Sequence, residues 1–107
     1  MSDELEYNVP LVTPILQDCV FQSSENRVCV IWSGVAYNDH YEIYQSVVAL
    51  SQPAGDYTMI DDINHPTYYN ITPHTGMREY YYIIGKNDDY SMQTDPSNVV
   101  FVDIPTV

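Results

Sequence analysis

Three histidines, two cysteines and an excess of carboxylates are the side chains of this 107-residue chain that could do chemistry. His40, His65 and His74 are spread along the sequence and do not form a close pair. Nucleophilic catalysis needs a serine or cysteine beside a base, and zinc hydrolysis needs paired histidines. The motifs G-x-S-x-G and H-E-x-x-H, which supply these groups, are absent. We therefore expect a non-enzyme in which the histidines are surface or turn residues.

The carboxylates include two local groups, Asp61-Asp62 and Asp88-Asp89 with Asp95. Calcium prefers oxygen ligands, but neither group has the spacing of an EF-hand loop. Solvated acidic loops are the simpler interpretation, so neither a metal nor another cofactor is expected.

The two cysteines, Cys19 and Cys29, lie almost symmetrically about the polar stretch 23–26. If that stretch is a hairpin turn, the two side chains could face each other across paired strands and form a disulfide. The other interpretation is a pair of small buried side chains, because free cysteine is commonly buried. Both interpretations stay open, whereas a metal site is disfavoured because no histidine or second cysteine pair lies at ligand spacing.

The charge of the chain limits its partners. Fifteen acidic and three basic residues give a formal net charge of -12. Three dispersed cations cannot form the basic stripe that binds phosphates, so we expect neither nucleic acid nor an anionic membrane as partner.

No run approaches the roughly 20 apolar residues of a membrane span. The start MSDELEYNVP lacks the basic and then apolar regions of a secretory signal.

Short apolar alternations with turn signals between them recur about every ten residues, and no segment shows helical periodicity. About seven such segments in about 100 residues predict an all-β, seven-stranded immunoglobulin-like sandwich. Residues 1–9 lack alternation and are predicted to form an N-terminal arm, so that the domain covers residues 10–107. The predicted strands are 10–20, 27–33, 41–47, 57–60, 67–72, 80–84 and 98–104.

The tyrosine run YYYII (80–84) is the strongest predicted strand. Because side chains alternate along a strand, Tyr80 and Tyr82 share one face and Tyr81 takes the other. Ile84 continues the face of Tyr80 and Tyr82, so that face is predicted to be buried and Tyr81 exposed. The Asn and Asp residues that follow indicate that the strand ends at Lys86.

In their order and spacing, these strands resemble a fibronectin type III domain of the kind common in bacterial and phage proteins. The resemblance implies that Trp32 is the core tryptophan of the second strand and that Tyr41 points inward. It also implies that Tyr80 is the tyrosine corner, whose hydroxyl bonds back to upstream backbone. Trp32, Tyr41, Tyr80 and Tyr82 are thus the predicted structural core. The segments that carry the resemblance are RVCVIWSG (27–34), HYEIYQS (40–46), GDYTMID (55–61), TYYNIT (67–72), EYYYIIGKND (79–88) and PSNVVFV (96–102).

Two positions depart from the family pattern. Lys86 stands where the family usually has a small inward residue, and His74 stands where it usually has an apolar one. For Lys86 two interpretations stay open: the strand ends early and the side chain reaches solvent, or the register shifts beyond Gly85. We expect His74 to lie half-buried in a loose turn.

The resemblance also places the loops 34–39 and 86–95 at the same end of the sandwich. Tyr, Asn and Asp are typical of adaptable binding loops, although turns require the same residues. The candidate partner-binding residues are Tyr37, Asn38, Asp39, Asp88, Asp89 and Tyr90.

These observations indicate a non-catalytic structural or interaction module. The first hypothesis is an accessory surface component of a larger assembly, such as a phage virion, whose partners are other proteins or further copies of the chain. Such a component faces the outside without a signal peptide. The alternative is a spacer or glycan-binding module of a secreted carbohydrate-active enzyme or adhesin. For that alternative the exposed aromatic candidates are Tyr37, Tyr81 and Tyr90.

Overall fold

The computed structural model describes residues 11–89 and 91–106. The predicted N-terminal arm and Tyr90 lie outside the described residues. Within the described ranges no helix is long and apolar enough to cross a membrane. The strands are β1 (Ile15–Gln22), β2 (Arg27–Ser33), β3 (His40–Ala49), β4 (Thr58–Ile63), β5 (Thr67–Asn70), β6 (Met77–Asn87), β7 (Met92–Gln93) and β8 (Val100–Asp103).

These strands form two antiparallel sheets. The three-stranded sheet has the order β1-β2-β5, and the five-stranded sheet has the order β4-β3-β6-β7 with β8 also paired to β6. The predicted all-β immunoglobulin-like sandwich is confirmed. Strand β8 falls within the final predicted strand, 98–104, whereas β7 lies in the predicted loop 86–95. The two strands pair with different parts of β6.

Pro96 lies in the interruption between β7 and β8, where a proline has no N–H to donate. Hydroxyl groups bond to β6 there instead. The Gly85 N–H donates to Thr94 Oγ1 at 3.0 Å, and the Ile83 N–H donates to Ser97 Oγ at 2.9 Å. The N–H groups of Thr94 and Ser97 donate in return to the carbonyls of Gly85 and Ile83. The sheet therefore stays hydrogen-bonded across the interruption.

The core lies between the two sheets and takes alternate residues from both. Trp32 and Tyr41 are 3% and 2% exposed, and their rings meet edge to face with centroids 5.3 Å apart. Both residues thus occupy the inner positions that the resemblance implies. The core residues are Leu16, Val28, Val30, Trp32, Tyr41, Ile43, Tyr81, Ile83 and Ile104.

The prediction for the tyrosine run is wrong about which face is buried. Tyr81 is 0% exposed and lies in the core, whereas Tyr80 and Tyr82 are half-buried on the outer face of the five-stranded sheet. Ile84 misled the prediction because it is buried on that same outer face. Both faces of β6 are covered by other side chains, so apolar character alone does not identify the inner face.

Aromatic side chains cover this outer face. Tyr44 and Tyr82 are cross-strand partners whose rings stack in parallel, with centroids 4.8 Å apart and 9° between their planes. The ring centroids of Tyr57 and Tyr82 lie 4.7 Å apart, and those of Tyr80 and Phe101 lie 5.4 Å apart. These rings bury their faces against one another and form a second, smaller apolar layer.

The loop between β3 and β4 folds back over the same face. The Gly55 N–H donates to Ser46 Oγ at 2.9 Å, and the Tyr80 hydroxyl donates to the Gln52 carbonyl at 2.6 Å. Ser46 is consequently only 2% exposed although its side chain points away from the core. The Tyr80 hydroxyl thus bonds to upstream backbone, as the resemblance implies, and anchors the loop between β3 and β4.

Glu79 is a fully buried carboxylate near the start of β6. Its Oε1 accepts hydrogen bonds from the Tyr81 hydroxyl at 2.6 Å and from Asn70 Nδ2 at 3.1 Å. Its Oε2 accepts from the backbone N–H of His74 at 2.8 Å and lies 2.7 Å from His74 Nδ1. Both oxygens are therefore bonded, as a buried carboxylate requires.

Glu79 holds the turn before β6 through its bonds to the backbone and ring of His74. His74 departs from the apolar pattern because its ring and backbone both bond to Glu79, and its side chain is 48% exposed. Sequence reasoning missed Glu79 because an unpaired carboxylate is almost never fully buried.

The cysteines are free, and they lie on opposite faces of the three-stranded sheet. The register pairs Cys19 with Val30 on the inner face and Cys29 with Val20 on the outer face. A one-residue offset in pairing moves a side chain to the other face, so the disulfide interpretation is wrong. Burial raises the pKa of both thiols, that of Cys19 to about 12. The thiols are thus protonated and unreactive at neutral pH.

Candidate functional site

The two predicted recognition loops meet at one end of the sandwich. Residues 34–39 connect β2 to β3, and residues 88–89 follow β6. We call residues 34–39 and 87–89 the loop surface. Tyr37, Asp39, Asp88 and Asp89 are exposed on it, whereas Tyr90 lies outside the described residues.

Hydrogen bonds join the two halves of the loop surface to each other and to Lys86 at the end of β6. Asn87 Nδ2 donates to the Tyr37 carbonyl at 2.6 Å, and the Asp88 N–H donates to Asp39 Oδ2 at 3.0 Å. The Asp39 N–H donates to the Lys86 carbonyl at 2.7 Å. The two loops are therefore one connected unit.

Asn38 supports this unit from inside. Its Nδ2 donates to the carbonyls of Val12 at 2.9 Å and Gly34 at 3.1 Å. Its amide lies against Gly85, where an added Cβ would come within 2.5 Å of Asn38 Oδ1. A glycine is thus needed at position 85 because the Asn38 side chain approaches the strand closely. Asn38 positions the loop surface and does not offer its amide nitrogen to a partner.

Tyr37 forms the tip of the loop surface. Its side chain is 60% exposed, and its φ of 63° lies in the left-handed region that bulky residues rarely adopt. The bond from Asn87 to its carbonyl holds it in that conformation, together with a 3.1 Å bond from the Asn38 N–H to the Val35 carbonyl. Val35 is itself 46% exposed. The tip is thus an aromatic and aliphatic projection on a hydrogen-bonded turn.

His40 begins β3 at the edge of the loop surface and bridges two other elements. Its Nδ1 lies 2.6 Å from Asp62 Oδ1 on β4, and its Nε2 lies 3.0 Å from Asp88 Oδ1 after β6. The hydrogen bond with Asp88 raises the pKa of His40, partial burial opposes this effect, and Asp62 adds to it. Sequence reasoning missed this bridge because the two carboxylates lie 22 and 48 residues away along the chain.

Lys86 lies beside this bridge on the outer face, opposite His40 in the pairing of β3 and β6. Its Nζ lies 3.6 Å from Glu42 Oε2 and donates to Gln93 Oε1 at 3.2 Å. The strand therefore continues through Lys86 to Asn87, one residue beyond its predicted end. Lys86 is not inward, because the inner positions at this end belong to Gly85 and Asn87.

The arrangement can bind a partner surface but offers no enclosed site. No pocket is detected in the described part of the chain. The imidazole of His40 fills the space between Asp62 and Asp88. No group of three or more His, Cys, Asp or Glu side chains among residues 11–89 and 91–106 is arranged to hold a metal ion. The exposed groups are an aromatic tip and the carboxylates around it.

No protein-family model matches the chain, and no curated protein matches its sequence. Solved structures do match. An Fn3-like protein from Clostridium thermocellum has a TM-score of 0.68 and 23% identity, covering 88% of this chain and 93% of its own.

Two enzymes contain a similar domain as a minor part of a longer chain. A β-1,2-glucanase from Parabacteroides distasonis matches with a TM-score of 0.67 and 16% identity over 89% of this chain and 13% of its own. The pectate lyase PelI from Erwinia chrysanthemi matches with a TM-score of 0.60 and 19% identity over 85% of this chain and 28% of its own. At these identities the likeness concerns the fold. The chain is a fibronectin type III-like domain in its fold.

Proposed function

We propose that this chain is a non-catalytic, protein-binding module that attaches to a larger assembly through its loop surface. The observation that carries the proposal is the exposed Tyr37 tip on a hydrogen-bonded turn between acidic side chains. Tyrosine is enriched among the residues that dominate binding energy at interfaces. A loop that is already ordered loses less conformational entropy on binding than a free one, so the internal bonds favour association.

The charge around the tip defines the chemistry of the partner. Asp39, Asp88 and Asp89 are exposed beside Tyr37, and the whole chain carries a net charge of -12. Complementary surfaces place opposite charges at the rim of an interface. The partner is therefore a protein surface with an apolar recess for Tyr37 and Lys or Arg side chains around that recess.

The matches to solved structures support the interpretation of this chain as a module. The fold occurs in an Fn3-like protein of similar length and as a minor part of longer enzymes. The virion setting, and the outward-facing location that goes with it, rests on the sequence resemblance alone. A phage particle is one assembly that would fit the proposal.

Photo-crosslinking tests this proposal. A photoreactive phenylalanine analogue is placed at position 37 or, as the matched control, at Tyr69, an exposed tyrosine (43%) on the outer face of the three-stranded sheet. In the cells that express the chain, we expect a protein adduct from position 37, weaker at high salt, and none from position 69. Equal adducts from both positions, or none from position 37, would contradict the proposal.

The second candidate is a spacer or glycan-binding module of a carbohydrate-active enzyme. The observation in its favour is the match to minor parts of a β-1,2-glucanase and a pectate lyase. Against sugar stacking, Tyr44 and Tyr82 bury their ring faces against each other. Tyr81, an exposed candidate in the sequence, is fully buried. Retention of the chain on immobilised β-1,2-glucan or pectate would favour this second candidate, and free elution would count against it.

A further inference from the structure

Both ring nitrogens of His40 face carboxylate oxygens. An ionised carboxylate only accepts hydrogen bonds, so both contacts are satisfied when each ring nitrogen carries a proton. A neutral imidazole has one donor and one acceptor nitrogen. It can therefore bond to one of the two carboxylates and must turn a lone pair toward the other. The two contacts fit the charged imidazolium, with a proton on each ring nitrogen.

We propose that His40 is a proton-dependent latch that holds the loop surface in place. The charged imidazolium hydrogen-bonds to both Asp88 after β6 and Asp62 on β4. The neutral ring releases one of these two carboxylates. The use of this latch in regulating attachment rests on the proposed function, because the latch acts on the same surface. The latch itself is a property of the chain alone and is tested without a partner.

Asp88 is the carboxylate that the neutral ring releases. Its contact with His40 is the longer one, 3.0 Å against 2.6 Å for Asp62. Its side chain is 76% exposed against 41% for Asp62, so water replaces the lost bond more easily. Asp62 also lies within strand β4, whereas Asp88 lies in a turn. Loss of the His40 proton therefore loosens the turn beside Tyr37 and removes the positive charge that offset Asp88, so the net charge of this region falls by one.

Every element packed around His40 presents charged groups, and most of them favour the imidazolium. Lys86 is the cation among them, and its Nζ lies 3.6 Å from Glu42 Oε2, which offsets its charge. A surrounding excess of carboxylates stabilises a cation. The groups are Glu42 on β3, Asp62 and its neighbour Asp61 on β4, Lys86 on β6, Asp88 and Asp89 in the following turn, and Asp39 in the preceding loop.

The direction of the pH dependence follows from the raised pKa of His40. A raised folded-state pKa means that the interaction is fully present below the ordinary histidine pKa of about 6.5. It is lost as the pH rises through the raised value. His40 thus holds both carboxylates in mildly acidic solution and releases Asp88 when the pH rises above its raised pKa.

An NMR titration of the full chain tests the latch. The Asp88 amide is followed from about pH 5.5 to about pH 9 in the native chain, in His40→Gln and in His65→Gln. The His40 ring is followed over the same range in the native chain and in His65→Gln. His65 is the matched control, because it is an exposed histidine whose ring contacts Asn64 and, among the described residues, no carboxylate. We expect one shared midpoint above about pH 6.5 for the ring and the amide. The Asp88 transition should vanish in His40→Gln and persist in His65→Gln.

An Asp88 amide that does not titrate, or that titrates equally in His40→Gln, would overturn the latch. Asp88→Asn provides a second measurement that does not depend on removing the ring, and Asp88 is exposed enough for the fold to tolerate it. It should move the His40 midpoint to lower pH, and an unchanged midpoint would also overturn the latch. Failure of the Tyr37 crosslink leaves these titrations unaffected, so the two proposals fail separately.

Discussion

Replacing Glu79 by alanine is expected to destabilise the fold more than any surface substitution. The carboxylate accepts hydrogen bonds from the Tyr81 hydroxyl, Asn70 Nδ2 and the His74 N–H. Tyr81 and Asn70 are 0% and 4% exposed, so water does not reach them. Asn70 Nδ2 also donates to the Tyr81 hydroxyl oxygen at 3.1 Å and keeps that acceptor, whereas the Tyr81 hydroxyl proton loses Glu79. His74 is partly exposed, and water can reach it.

The magnitude follows from these donors. A buried donor left without a partner costs about 1–3 kcal/mol, and the Tyr81 hydroxyl is that donor. A domain of this size has a total stability of about 5–15 kcal/mol, so this loss is a large fraction of it. Glu79→Gln keeps one acceptor oxygen in a side chain of the same shape, and we expect about half that loss.

Urea unfolding followed by the fluorescence of the buried Trp32 measures these differences. Glu25→Ala is the matched control, because Glu25 lies exposed in the turn between β1 and β2 and its side chain bonds only to the neighbouring Ser24 in the described contacts. Its effect should stay within about 0.5 kcal/mol. A Glu79→Ala variant no less stable than Glu25→Ala would refute the assignment of Glu79 as the brace of this turn.

Two further predictions concern the loops and the thiols. Gly85→Ala should displace the Asn38 amide and lower the free energy of unfolding by about 1–3 kcal/mol. Amide hydrogen exchange in residues 34–39 should become faster, and unchanged exchange there would contradict the close approach of Asn38 to Gly85. Cys19 should resist a thiol reagent at neutral pH in the native chain and react in urea, because burial raises its pKa to about 12. Fast labelling of Cys19 without denaturant, or a mass that reveals a bond to Cys29, would contradict the observed register.

The loop surface could be predicted in part. Its composition identifies the turns, and the order of the strands places both loops at the same end of the sandwich. Its rigidity could not be predicted, because that depends on Asn87 reaching Tyr37 and on Asn38 lying against Gly85. These contacts join residues about 50 positions apart, and a local pattern contains no information about such pairs.

The amino-acid sequence by itself determined the class of fold. Val28, Val30 and Trp32 share one face of β2, but Cys29 and Ile31 on the other face are apolar as well, so the inner position of Trp32 came from the resemblance. The turns between strands are marked by Gly, Pro, Asn and Asp. These local signals suffice for a two-sheet sandwich.

Only the tertiary structure decided the faces of β6 and the pairing of the cysteines. Both faces of β6 are apolar and covered, so Tyr81 and Tyr80 could not be told apart from their own alternation. The cysteine positions depend on a register in which one residue of offset moves a side chain through the sheet. Glu79 can be buried because Asn70, His74 and Tyr81 converge on it, and that convergence exists only after the sheets have packed.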